Sequence, residues 1–322
     1  MKKINLGILG TSEIAFRRFL PALKKSDKFE YVGVASRNIN KTKKFTDEFS
    51  GIGYSGYDEL INDKNIDAVY IPLPPSLHYE WAIKSLNAGK HVLLEKPFTT
   101  SLLETQKIIE LAKNNNLAVH ENYMFEFHNQ LDYAKTLITN KALGDLRLIR
   151  IAFGFPKRDK NDFRYNKQLG GGALLDCGGY AIKLASILLG NNVDISACKL
   201  NFTDEYDVDL FGSATLENED GLVAQISFGM DNSYKCELEL WGSCGNAKFP
   251  RIFTAPSDYK PIITITKDNK ENQVVLGEDD QFYNSIKKFE EYILCENTRY
   301  DIYNNILMQS SLIQLFLDKT RR

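Results

Sequence analysis

Apolar positions over residues 1–122 switch repeatedly between short runs and helical spacing. INLGIL (4–9) is an apolar run ending at Gly10, and after a polar turn Ile14, Phe19, Leu20 and Leu23 recur at helical intervals. FEYVGVAS (29–36), DAVYIPL (67–73), HVLLEK (91–96) and LAVHENY (117–123) are further strand-like runs. Between them lie helical segments: the polar KTKKFTDEF, HYEWAIKSLNAG with Gly89 as its C-cap, and LLETQKIIELAKNN. Pro21 falls inside the first helical pattern and should bend it or shorten its regular part. Short apolar strands alternating with helices predict a doubly wound parallel sheet covered on both faces.

After residue 140 the pattern changes. LRLIRIAFGF (146–155) reads as a strand, 156–169 as a charged loop, and GGGALLDCGGYAIKLASILLG as a glycine-led segment entering a helix. From 193 to 276 strand-like runs dominate, among them FGSATLEN, GLVAQISFGM and the alternating KCELELWG. Two helices, over 281–296 and 301–318, close the chain. The expected fold is α/β: a Rossmann-like doubly wound domain over 1–122, then an α+β domain over 123–322 with a large, mostly antiparallel sheet. A chain of 322 residues, 43% hydrophobic, has room for two cores.

Composition removes several partners. A formal charge of −2 gives no field that would draw the chain to nucleic acid or an anionic membrane, which favours a small-molecule partner. Glu13, Arg17 and Arg18 interrupt the N-terminal apolar stretch before a signal-peptide core forms, and no run approaches the ~20 apolar residues of a membrane span. The five cysteines are scattered without CxxC spacing, so they read as reduced thiols in a cytoplasmic protein and no metal is expected.

The first strand-to-helix turn reads Gly7-Ile8-Leu9-Gly10-Thr11-Ser12-Glu13-Ile14-Ala15. Against the fingerprint GxGxxG/A, Gly10 takes the tight turn, Ser12 replaces the second glycine and Ala15 takes the close-packing position. Gly10, Thr11, Ser12, Ile14 and Ala15 are therefore candidate pyrophosphate-side residues, and a plain strand–turn–helix explains the same letters until the position is weighed. It is the first βα connection, where such sheets place their nucleotide. The second strand ends Ser36-Arg37-Asn38, with no carboxylate for ribose hydroxyls and with an arginine suited to a 2′-phosphate. This favours NADP(H) over NAD(H).

Glu95-Lys96-Pro97 ends the fourth of these runs, so Lys96 emerges at the carboxyl edge where open sheets bind ligands. Pro72, Leu73 and Pro74 form a stiff wall after the third. His78, opening the next helix, is either a helix-start histidine or a cofactor contact. In the second half Asp176 and Tyr180, four apart, share a helix face. A phenol of pKa ~10 needs a cation or a developing alkoxide to draw its proton out, and Lys96 supplies such a field.

Through GILGTSEIA, DAVYIPLPPSLHYEWAIKSLNAGKHVLLEKP and LGGGALLDCGGY the chain resembles the Gfo/Idh/MocA oxidoreductase family over its full length. Within it the sequence is most similar to sugar-nucleotide 3-ketoreductases, through IAFRRFLPAL, VASRN, YIPLPP, the EKP stretch, HENYMF and DFRYN…LGGGALLD. The resemblance implies that Lys96 is the active-site lysine, that Tyr180 stands where polyol dehydrogenases carry histidine, and that Asp176 faces substrate. It places Arg164, Tyr165 and Tyr123 near substrate and Glu95 near cofactor. The implied reaction is NADPH-dependent reduction of the C3 keto group of a nucleotide-linked keto-deoxyhexose by a homodimer or homotetramer. The alternatives are a dehydrogenase of a free sugar, polyol or dihydrodiol, a non-catalytic NADP-binding regulator, and an NAD-dependent glycosidase of related fold.

Overall fold

A computed structural model describes residues 3–190 and 192–320. They form two compact units: the chain up to Tyr123 with Phe282–Ser310, and Met124–Gln281 with the chain from Ser311 on.

The first unit contains six parallel strands: β1 (Ile4–Leu9), β2 (Phe29–Ser36), β3 (Ile52–Ser55), β4 (Ala68–Ile71), β5 (His91–Leu94) and β6 (Val119–Glu121). Their order, β3-β2-β1-β4-β5-β6, reverses direction between β1 and β4, the switch point at which open sheets of this topology bind ligands. Ile8, Leu9, Val69, Ile71, Leu93 and Leu94 are fully buried, as strands covered on both faces must be. The edge strand β3 carries no run in the sequence, because IGYS is short, contains a glycine and is exposed at both ends. Pro21 does leave its mark: the first helix runs as a π-turn over Ala15–Phe19, then as regular helix only over Leu20–Leu23.

The closing helices, Gln281–Leu294 and Glu296–Thr320, correct the assignment of everything after residue 122 to the second domain. Residues 282–310 belong with the parallel sheet. The Tyr303 hydroxyl donates to the Leu117 carbonyl at 2.6 Å, and Arg299 donates to the Asn116 carbonyl at 2.6 Å, tying the segment to the chain entering β6.

The second unit is built on eight strands: β7 (Leu146–Gly154), β8 (Asp194–Thr203), β9 (Tyr206–Glu217), β10 (Val223–Gly229), β11 (Lys235–Gly242), β12 (Gly245–Phe249), β13 (Ile262–Lys267) and β14 (Lys270–Val275). The order is β14-β13-β12-β11-β7-β10-β9-β8, with β7 and β10 parallel and all other neighbours antiparallel. One face is apolar, with Ile149, Ile151, Phe153, Ala224, Ile226, Leu238 and Leu240 buried. The other carries Arg150, Gln225, Glu237 and Trp241.

The helix Gly179–Leu189 is buried at every position but Ile187. This qualifies the expectation about membrane spans: residues 167–189 are long and apolar enough for one, but 83% of the apolar window is buried inside the unit. Such a helix, buried nearly all round with Lys183 its one charged residue, is a core helix.

Candidate active site

The turn after β1, where the sequence places a nucleotide, is shaped by Gly10. Its φ is +112°, a backbone conformation that favours glycine, and a Cβ there would stand 2.7 Å from Leu73 Cδ2 and push that side chain aside. Leu73 thus supports the turn from the wall after β4. Ser12 caps the helix: its hydroxyl accepts from the Ala15 N–H at 3.2 Å and its carbonyl from Phe16 at 3.1 Å. Ala15 is fully buried, as its close-packing position requires. A helix N-terminus behind a glycine turn favours an anion.

At the end of β2 the Ser36 hydroxyl accepts from the Asn38 N–H at 3.2 Å, and the Asn38 side chain from Asn40 at 3.1 Å, shaping a tight polar turn. Arg37 is exposed between them and hydrogen-bonds Tyr57. The turn, the helix N-terminus and this cation in place of a carboxylate fit a dinucleotide with a phosphorylated ribose.

His78 departs from the cofactor reading. It is fully buried, with Nδ1 2.9 Å from the Pro97 carbonyl oxygen and Nε2 2.8 Å from that of Leu73. Burial draws its pKa below the ordinary value, so the ring donates to one carbonyl and abuts the other. It ties the wall after β4 to the turn after β5. Tyr123 is corrected too: it is fully buried and its hydroxyl accepts from Gln309 at 3.3 Å, which makes it a core residue rather than a substrate contact.

Lys96 and Glu95 lie half-buried just beyond β5, ahead of a cis peptide between Lys96 and Pro97. Glu95 Oε1 accepts from the Tyr70 hydroxyl at 2.6 Å and from Asn122 Nδ2 at 2.7 Å. Burial pushes the Glu95 carboxyl above its usual range, while these donors and the Lys96 charge pull it back. Neither Tyr70 nor Asn122 was singled out by the sequence, although Asn122 sits inside HENYMF.

In the second unit Arg164 and Asp176 come together: Arg164 Nε meets Asp176 Oδ2 at 2.7 Å and its Nη1 meets Asp162 Oδ1 at 3.1 Å. The arginine is held between two carboxylates, which orient Asp176 in turn. Tyr165 pins the loop, accepting from the Arg158 N–H at 2.9 Å, donating to the Met230 carbonyl at 3.3 Å and stacking on Tyr206 at 4.6 Å. Tyr180 is 5% exposed among Phe125, Phe153 and Phe253, and its hydroxyl donates to Met124 Sδ at 3.7 Å. Three residues further on, Lys183 forms an ion pair with Glu126 at 3.3 Å, with only 3% of the lysine side chain exposed. No spacing signal pointed to that pair.

Asp209, also unread in the sequence, explains the last glycine of the run Gly170-Gly171-Gly172. Its Oδ2 accepts from the Leu174 N–H at 2.6 Å, capping the helix that carries Asp176 and Tyr180. Gly172 has φ +121°, and a Cβ there would stand 2.4 Å from Asp209 Oδ1. Burial pushes the Asp209 carboxyl up to about 6 against the pull of the backbone N–H groups. A carboxyl raised on folding contributes stability at low pH that is lost as pH rises through about 6. Asp209→Asn should therefore flatten the fall in melting temperature between about pH 4 and about pH 6, while Asp209→Ala loses the cap and about 1 kcal/mol. An unchanged pH dependence in Asp209→Asn contradicts this assignment.

Residues 4–123 match the oxidoreductase family model with an NAD-binding Rossmann fold, and residues 131–248 match the GFO/IDH/MocA C-terminal domain. The dTDP-3,4-didehydro-2,6-dideoxy-alpha-D-glucose 3-reductase of Actinomadura kijaniata is 36% identical, covering 96% of this chain and 93% of its own length. The protein of the same name from Saccharopolyspora spinosa is 38% identical over 89% of this chain and 87% of its own. The crystal structure of KijD10, a 3-ketoreductase from Actinomadura kijaniata in complex with NADP and TDP-benzene, superposes with a TM-score of 0.96 at 35% identity, covering 99% of this chain and 98% of that one. KijD10 has also been solved with one tyrosine replaced by phenylalanine and with one lysine replaced by alanine. Those two residues are separated by as many positions as Lys96 and Tyr180 are here.

Proposed function

Because the chain belongs to the Gfo/Idh/MocA family of oxidoreductases, we propose that it uses NADPH to reduce the C3 keto group of a nucleotide-linked keto-deoxyhexose. The observation that carries this reading is the presence of both Lys96 and Tyr180 in a chain similar along nearly its whole length to two dTDP-keto-sugar 3-reductases. The separation they share with the two residues replaced in KijD10 supports it.

The bound nicotinamide would supply the hydride. Gly10, Thr11, Ser12, Ile14 and Ala15 form the turn that receives the pyrophosphate, Ser36, Arg37 and Asn38 bind the 2′-phosphate, and Pro72, Leu73 and Pro74 wall the edge. Tyr180 gives its proton to the carbonyl oxygen as that oxygen gains charge. Lys96 lowers the cost of the charge and favours the tyrosinate left behind. Asp176, oriented by Arg164, accepts hydrogen bonds from sugar hydroxyls, and the apolar ring around Tyr180 keeps bulk water from its proton. The chain assembles as a homodimer or homotetramer through the open face of the eight-stranded sheet, where Trp241 is exposed. The five cysteines are free thiols, which fits a reducing cytoplasm.

The cofactor half is tested at Arg37. A hydrogen-bonded ion pair with a phosphate contributes about 1.5–3 kcal/mol, so Arg37→Gln should raise KM for NADPH about 10- to 100-fold and leave KM for NADH unchanged. An unchanged preference contradicts the assignment. The substrate half is tested by NADPH oxidation on addition of nucleotide-linked keto-deoxyhexoses against free sugars and dihydrodiols. Turnover of the free compounds alone selects the dehydrogenase alternative, and tight NADPH binding without oxidation selects a regulator.

A further inference from the structure

A chain of five hydrogen-bonded side chains lies in the first unit beside Lys96, and most of it has no part in the steps above. Tyr70 and Asn122 both donate to Glu95 Oε1. The Ser285 hydroxyl donates to Asn122 Oδ1 at 2.8 Å, and His120 Nε2 lies 2.8 Å from Ser285 Oγ. Asn122, Ser285 and His120 are all buried.

The polarity of this chain is dictated from the Glu95 end. Once ionised, the Glu95 carboxylate only accepts, and Asn122 then presents its NH2 group to it and its oxygen to Ser285. Ser285 must then donate, which turns its remaining lone pairs to His120 and requires the hydrogen on Nε2. The 2.6 Å contact from Tyr70 falls within the range of about 2.5–2.7 Å for hydroxyl bonds to a charged oxygen. One charge thus fixes an amide orientation, a hydroxyl rotor on the helix Gln281–Leu294 and the tautomer of His120 on β6. The His120 ring also stacks against Phe289 at 6.1 Å and tilts against Tyr292 at 5.6 Å, on the helix that carries Ser285.

We propose that Tyr70, Asn122, Ser285 and His120 are positioning residues that hold Glu95 as a fixed anion beside Lys96, coupling the helix Gln281–Leu294 to the catalytic edge of the parallel sheet. Donors aligned in one direction polarise each other, so losing a distant one weakens the grip on the carboxylate. A fixed anion restrains the neighbouring ammonium in the position it needs when charge develops on the substrate. The catalytic half of this inference rests on the role of Lys96 proposed above.

The test begins with a readout that needs neither cofactor nor substrate: carbon-13 NMR titration of the Glu95 carboxyl in the full chain, assigned with Glu95→Gln. Ser285→Ala and Asn122→Leu should each move its midpoint to higher pH, and Ser285→Thr, which keeps the hydroxyl, should restore it. Where Asn122→Leu does not fold, Tyr70→Phe removes the other donor at nearly constant shape and should move the midpoint in the same direction. In the enzyme, Ser285→Ala should lower kcat about tenfold with both KM values unchanged, and the acid limb of the kcat profile should follow the midpoint upward. A midpoint unmoved in these variants overturns the proposal, as does a moved midpoint with kcat unchanged. A wild-type chain inactive on every keto-sugar, with the midpoint still moving, instead refutes the substrate reading and leaves the relay standing.

Discussion

Tyr180→Phe is expected to lower kcat on a nucleotide-linked keto-deoxyhexose by about 10²- to 10⁴-fold, the range supplied by a positioned proton donor. The substitution removes one oxygen and keeps the ring that packs against Phe125, Phe153 and Phe253. The hydroxyl's bond to the Met124 sulfur is long, at 3.7 Å, so its loss should barely change the melting temperature. NADPH affinity, measured by fluorescence titration without substrate, should stay within a factor of about two, well under the ~1.4 kcal/mol of a tenfold change. Full turnover in this variant would remove tyrosine from the reaction and reopen the dehydrogenase and regulator readings.

Lys96→Ala should cost about 10²- to 10³-fold in kcat, the loss seen when one preorganised group facing a developing oxyanion is removed. The variant also leaves Glu95 without its neighbouring cation. Because that charge helps pull the carboxyl down against burial, its loss should let the Glu95 carboxyl titrate at still higher pH. Combining Lys96→Ala with Tyr180→Phe should cost less than the product of the single losses, since groups that act on one charge are not additive. Simple multiplication of the two effects would show that they act in separate steps.

The legible part of the candidate site is the part written in consecutive residues. Gly10 and Ala15 stand out because a turn and a close packing contact each exclude larger side chains. Arg37 stands out because the end of a second strand is a place where charge selects the cofactor. What escapes is what distant segments complete. His78 looks like a helix-start residue until the carbonyls of Leu73 and Pro97 close on its ring from both sides. Asp209 sits on a strand among other acidic residues, and only the fold brings it beneath the glycine run to cap a helix. The return of residues 282–310 to the first unit escapes because helical periodicity does not say which sheet a helix packs with, whereas Arg299 and Tyr303 find their acceptors at Asn116 and Leu117. The short edge strand β3 escapes for a simpler reason, since four residues exposed at both ends leave no periodic signature.

The central claim is that this chain reduces the C3 carbonyl of a nucleotide-linked keto-deoxyhexose with NADPH. It is tested most directly by incubating the protein with such a sugar and NADPH deuterated at nicotinamide C4, then locating the label by mass spectrometry and NMR. The account predicts one deuterium, at C3 of a sugar still linked to its nucleotide, with Tyr180→Phe and Lys96→Ala transferring it far more slowly. Deuterium at another carbon, or NADPH bound but never consumed by any nucleotide-linked keto-sugar, would contradict it.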